Sequence, residues 1–190
     1  IVKGECALVT TDRPEIARVK EIYQEWNNVP KAWARQGWTS EEVQRKRFSA
    51  FWRLMTSPGP GPMITILDVG CGDGAFFNYF GDVWQNSNFR YTGLDVRPEA
   101  IQAGKEAFGR IQNVKFIEAD ILDYTPDRDY HFVIASGTFN RGYIDNNRWE
   151  PGPFYQRIDR MVELAANACI FNILHSVFPM PEVYKHLRVK

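Results

Sequence analysis

Cysteine is scarce in this chain: three in 190 residues, at Cys6, Cys71 and Cys169. An odd count, with no C-x-x-C pair and no histidine ligands nearby, excludes a disulfide framework and argues against a metal site, and it fits a reduced, cytoplasmic protein. Long apolar runs are also missing. No stretch approaches 18 apolar residues, and the Ile1 start lacks the basic, apolar and small-residue succession of a secretory signal, so no membrane partner is expected. A start at Ile instead of Met reads as a chain from which N-terminal residues are missing. Charge excess of either sign is absent: 23 Lys+Arg stand against 23 Asp+Glu. Splitting at Ser57 gives 10 basic and 7 acidic residues before it and 13 and 16 after, without the positive stripe of a phosphate-tracking surface, so no nucleic-acid partner is expected. What is present is apolar and aromatic material, 44% and 14% with six Trp. A chain of this length buries roughly 70% of its extended surface, enough for one core around a pocket.

Proline and glycine concentrate in Ser57-Pro58-Gly59-Pro60-Gly61-Pro62, which neither helix nor strand can cross. The run divides the chain into an N-terminal helical appendage, 1–57, and a core, 63–190. In the appendage, Asp12 followed by Pro14 opens a helix running to about Asn27. Thr39-Ser40-Glu41-Glu42 opens a second, to about Met55, whose Val43, Phe48, Phe51, Trp52 and Met55 recur at helical spacing. After the break, strands at Met63–Val69, Arg90–Val96, Val114–Ala119, His131–Ala135 and Ala168–Leu174 alternate with helices near 75–84, 98–108 and 154–166. The expected fold is α/β, a Rossmann-like doubly wound and mostly parallel sheet, in which ligands sit beyond the carboxyl ends of the strands.

Closing the first strand and opening a helix stands Asp68-Val69-Gly70-Cys71-Gly72-Asp73-Gly74-Ala75. Its alternate glycines let the backbone turn tightly against a ligand. The run also satisfies the dinucleotide form G-x-G-x-x-A through Ala75, which keeps an NAD-type oxidoreductase as an alternative. Asp68 and Asp73 weigh against it, since they would repel a pyrophosphate and suit a ligand carrying an ammonium and a sulfonium. Asp95 ends the second strand, where a carboxylate can accept ribose hydroxyls, and Asp120 ends the third, within reach of an adenine edge.

With these residues the chain resembles the class I S-adenosylmethionine-dependent methyltransferases from Ile64 to about Leu174, in the manner of small bacterial members. The glycine run matches their glycine motif, Asp95 their ribose-binding acid, and Glu118-Ala119-Asp120-Ile121 their adenine-contact motif. The resemblance implies S-adenosyl-L-methionine as cofactor and transfer of its methyl group in one in-line displacement. The implied cofactor-binding set is Asp68, Gly70, Cys71, Gly72, Asp73, Asp95, Val96, Asp120, Ile121 and Ser136. The family's closing helix and antiparallel strand pair do not fit into His175–Lys190, so either the C-terminus is shortened or residues are missing near Ser176.

The fourth strand ends in Ala135-Ser136-Gly137-Thr138-Phe139-Asn140. It lacks the Asn/Asp-Pro-Pro-aromatic run of enzymes that methylate adenine or glutamine nitrogens, and no cysteine follows as a nucleophile. A small-molecule acceptor is the remaining expectation. The long 137–152 connection offers Asn140 and Tyr143 as an acceptor wall, and His175 is a candidate general base. A third reading is a non-catalytic cofactor-binding module that keeps the fold without the chemistry. The appendage is expected to close over the site as a lid, with Arg47 holding a carboxylate such as that of the cofactor's methionine part, or with Trp38 or Gln44 reaching inward.

Overall fold

The computed structural model describes residues 13–26, 28–55, 63–81, 88–140, 143–145 and 148–173. Three helices precede the core: α1 (Pro14–Gln24), the single turn α2 (Ala32–Arg35) and α3 (Glu41–Met55). Then follow β1 (Ile64–Val69), α4 (Ala75–Tyr79), β2 (Phe89–Asp95), α5 (Pro98–Phe108), β3 (Val114–Glu118) and β4 (Tyr130–Ser136). A 3-10 turn (Thr138–Asn140), a short hairpin of β5 (Ile144–Asp145) and β6 (Arg148–Trp149), α6 (Pro151–Leu164) and β7 (Ala165–Asn172) complete the described chain.

Five strands form one sheet in the order β3-β2-β1-β4-β7, and each neighbouring pair is parallel. This is the expected doubly wound α/β architecture. Alternation along the strands sends Ile66, Tyr91, Phe116 and Ile134 into one core layer and Leu67, Leu94, Val133 and Ala135 into the other. On the first face lie α3, α4 and α5; on the second α6 lays down Phe154, Ile158, Met161 and Leu164 at helical spacing. That stripe stops at Leu164 and the chain passes straight into β7 at Ala165. The sequence placed this strand three residues later because Ala165, Ala166 and Ala168 commit to neither structure.

Proline stands at the first turn of α1, α5 and α6, where its missing N–H costs nothing. Ser40 Oγ accepts the Val43 N–H at 3.2 Å and so caps α3. The cap residue of α1 is Arg13, whose side chain makes no capping hydrogen bond to the helix; Asp12, the Pro/Gly break and residues 174–190, including His175, lie outside the described residues.

The apolar stripe of α3 is part of the core and not a cover over the site. Phe48, Phe51 and Met55 are buried together with Phe76 and Phe80; the Phe48 and Phe76 rings meet edge-on at 5.2 Å and Trp52 stacks on Phe80 at 4.6 Å. The helix and the sheet therefore unfold together. Phe48→Ala is expected to cost about 3–5 kcal/mol, and denaturant unfolding followed by fluorescence and by helix content is expected to show one coincident transition; two separated transitions would show that α3 belongs to an independent unit.

Candidate active site at the strand ends

A cleft of about 720 Å³ opens at the carboxyl ends of β1, β2, β3 and β4. Its floor is Val69, Gly70 and Gly72 at the end of β1, Asp95, Val96 and Arg97 at the end of β2, Ala119, Asp120 and Ile121 after β3, and Ser136 to Phe139 at the end of β4. Its roof comes from the N-terminal segment: Ile16, Val19 and Tyr23 of α1, with Gln36 and Trp38. Tyr143 and Arg157 close one side.

The glycine turn is built for close approach. Gly70 has φ +71°, and a Cβ there would stand 2.4 Å from Thr138 Cγ2 and Oγ1. Thr138 Oγ1 in turn donates to the Val69 carbonyl at 2.7 Å, pinning the β4 turn onto the glycine turn. Gly137, φ +79°, would bring a Cβ to 2.9 Å from Trp38 Cζ2, so the roof rests directly on backbone here.

Among the expected cofactor residues, Gly70, Gly72, Asp95, Val96, Asp120, Ile121 and Ser136 line this one cleft. Cys71 is buried beside it, and burial pushes its thiol well up. Asp68 lies behind the wall: it is 2% exposed and accepts a 2.6 Å hydrogen bond from the Tyr91 hydroxyl. Burial, reinforced by the nearby Asp95 charge, lifts its carboxyl to about 7 against the pull of the Tyr91 bond. Buried behind the backbone, with its carboxyl raised, Asp68 is poorly placed to repel a pyrophosphate in the cleft. Asp73 faces a neighbouring hollow shared with Arg35, Gln36 and Arg97. It is hydrogen-bonded to the Gln36 amide, whose oxygen accepts from Gln44 Nε2 at 2.7 Å. Gln44 therefore reaches the glycine turn through Gln36.

Of the other candidates, Tyr143 is 4% exposed and lines the cleft, its hydroxyl kept protonated by burial. Asn140 sits in the 3-10 turn, and Arg47 stacks over the Trp38 ring at 5.0 Å; neither is part of the cleft wall.

The sequence reading missed the cations. Asp95 receives Gly72 N–H at 2.8 Å, Arg97 N–H at 3.0 Å, and the Arg97 guanidinium through Nε at 3.1 Å and Nη2 at 3.4 Å. Asp120 receives Leu122 N–H at 3.2 Å, Arg157 Nε at 3.1 Å, Arg13 Nη1 at 3.3 Å, and Arg157 Nη2. Arg157, 2% exposed, also donates to Glu15 at 2.9 Å, while Arg13 holds Asp123 in a two-pronged pair at 2.6 and 2.8 Å. This network fastens α1 across the end of β3.

A methyltransferase-domain family profile matches residues 66–162, just over half of the chain. The chain belongs to that family. Its sheet order, glycine turn and Asp95 place it in the class I, S-adenosylmethionine-dependent branch. It is 32% identical over 88 residues to malonyl-[acyl-carrier protein] O-methyltransferase 1 of Ilyobacter polytropus, covering 46% of this chain and 31% of that relative. Over 93 residues it is 26% identical to nodulation protein S of Rhizobium tropici, covering 49% and 37%. The chain spans about a third of the length of the curated malonyl relatives it matches. Among solved structures, the N-methyltransferase NodS from Bradyrhizobium japonicum WM9, in complex with S-adenosyl-l-homocysteine, superposes with a TM-score of 0.61 at 20% identity over 81% of this chain and 72% of that one. The plantazolicin methyltransferase BpumL gives 0.52 at 18% identity over 86% and 64%. Family membership removes the support for a nicotinamide-dependent reading.

The raised Asp68 carboxyl makes stability depend on pH with a definite sign. Below pH 4 it is protonated in both states; between about 4 and 7 the unfolded chain ionises it first, so stability falls as pH rises through that window and levels off above it, by at most ~4 kcal/mol. Denaturant titrations from pH 4 to 8 are expected to show this slope in the wild type and its loss in Asp68→Asn; the same slope in both proteins would mean that Asp68 is ionised in the fold.

Proposed function

We propose that this domain binds S-adenosylmethionine in the cleft at the strand ends and transfers its methyl group to a small-molecule acceptor, in the cytoplasm. The observation that carries the reading is the meeting of Asp95 with the Gly72 N–H at 2.8 Å on the cleft floor. It puts a carboxylate at the end of β2 beside backbone that turns without side chains, the chemistry a ribose next to an amino-acid chain requires. The residues present fit the group. Gly70 and Gly72 would pass along the methionine part, Asp95 would accept the ribose hydroxyls, and Val96 and Ile121 would border the adenine. When bound, the cofactor supplies an electrophilic methyl group on a sulfonium.

The chain's own contribution is positioning. The cleft side of Trp38, Thr138, Phe139 and Tyr143 is walled by aromatic and apolar groups, and the Arg157 charge beside it is already answered by Glu15 and Asp120. An acceptor held there meets an apolar wall that excludes water, and bringing donor and acceptor into line provides most of the rate without a dedicated base. Tyr143, kept protonated, would act as a hydrogen-bond donor and not as a base. The relatives support a range of acceptors, since their names speak of a malonyl-carrier protein O-methylation, an N-methylation and plantazolicin. Asp120, its carboxylate already filled by guanidinium and backbone donors, serves this reading by fastening α1 over the adenine end.

Titration calorimetry with S-adenosylmethionine, S-adenosylhomocysteine and NAD is expected to show binding of the first two alone. Asp95→Ala is expected to weaken that binding by about 2 kcal/mol, roughly thirtyfold. Unchanged affinity in a folded Asp95→Ala protein would put the cofactor elsewhere. Binding without transfer of label from methyl-labelled cofactor to any fraction of a cell extract would favour the non-catalytic module.

A further inference from the structure

Resting on the proposed cofactor site, the count of donors on Asp95 leads to one consequence for Arg97. A carboxylate offers about four lone-pair positions. On Asp95 two are taken by backbone N–H groups, Gly72 at 2.8 Å and Arg97 at 3.0 Å, which orient the carboxylate. The other two are taken by Arg97 Nε and Nη2 at 3.1 and 3.4 Å. A ribose diol brings two hydroxyl donors, and the positions open to them are those that the guanidinium occupies. We infer that the Arg97 side chain is a displaceable plug in the ribose position, and that cofactor binding moves it off Asp95 toward Asp73 and Glu99.

The destination is visible in the fold. Arg97 forms part of the wall between the cleft and the neighbouring hollow of about 650 Å³, whose lining includes Asp73 and Glu99. Both carboxylates line that hollow with Arg97 and feel its charge: burial raises the Asp73 carboxyl while Arg35 and then Arg97 pull it down, and Glu99 adds to the hold of Asp95 on the Arg97 guanidinium. A swing of the guanidinium into that hollow exchanges one carboxylate for others and leaves no buried charge unanswered. Arg97 also lies over the Tyr23 ring at 4.3 Å, so the same swing releases a contact that holds α1 down. The plug and the roof therefore open together.

A displaceable Arg97 gives an effect of opposite sign to that of a purely structural arginine. With the plug held in place for most of the time, apparent affinity is reduced by the fraction of molecules that are open, so Arg97→Ala is expected to tighten S-adenosylhomocysteine binding by about three- to tenfold in calorimetry. Arg97→Met, which keeps a stem to pack on Tyr23, carries the same expectation if the alanine variant does not fold. Glu99→Gln removes part of the destination and is expected to weaken binding about twofold in the wild type and not at all in the Arg97→Ala background. Weaker or unchanged binding in the Arg97 variants, or an equal Glu99→Gln effect in both backgrounds, overturns the plug. Full affinity in Asp95→Ala would instead overturn the cofactor placement on which the plug rests.

Discussion

A carboxylate buried at the end of a strand has to have its charge answered, and this requirement organises the site. In a doubly wound sheet the strand ends are where backbone donors converge, so they are also where a ligand can be held. Three adjacent strands here end in or near an acid, and each acid is resolved differently. Asp68 has its carboxyl raised by burial and accepts the Tyr91 hydroxyl. Asp95 is filled by two backbone N–H groups and the Arg97 guanidinium. Asp120 is filled by Arg157 and Arg13, arginines that begin far away in sequence.

These solutions tie the N-terminal segment to the core in two distinct ways. Through α3 the tie is apolar: Phe48, Phe51 and Met55 complete one core layer. Through α1 it is electrostatic: Glu15 and Arg13 join the Arg157 and Asp120 network, and Tyr23 lies against Arg97. Burial of apolar area is non-directional and does not change when a polar ligand arrives, whereas guanidinium–carboxylate pairs can be exchanged for other hydrogen bonds at modest net cost. The roof made by α1, Gln36 and Trp38 thus rests on exchangeable ties, whereas α3 rests on apolar ones. Within the segment expected to act as a lid, residues of α1 with Gln36 and Trp38 line the cleft and the α3 stripe lies in the core.

What the sequence made legible was whatever is local. Strand and helix alternation from Ile64 to Asn172, the glycine turn, the Ser40 cap and the acids at three strand ends all follow from residues within a few positions of one another. The counter-ions did not follow. Arg157 meets Glu15 across 142 positions and Arg13 meets Asp123 across 110, and no periodicity marks such pairs. Gln36 was missed for a similar reason: its amide matters only because Gly37, φ +78°, turns the chain so that Trp38 reaches Gly137. Arg47 looked suited to a ligand carboxylate by its chemistry, but its position on α3 lays it over Trp38 instead of on the cleft wall. The two-residue strands of the β5–β6 hairpin are too short to show alternation, so nothing in the sequence marks them off from loop.

The central claim is that the strand-end cleft under α1 is where the cofactor sits. Hydrogen exchange of the full chain, with and without saturating S-adenosylhomocysteine, tests it most directly. Slowed exchange is expected in three floor segments, 69–74, 95–97 and 119–121, together with a change in α1 and at residues 36–38, while α3 stays as it was. Saturating ligand that leaves those floor segments unchanged, or that protects residues on the opposite end of the sheet, would contradict the account.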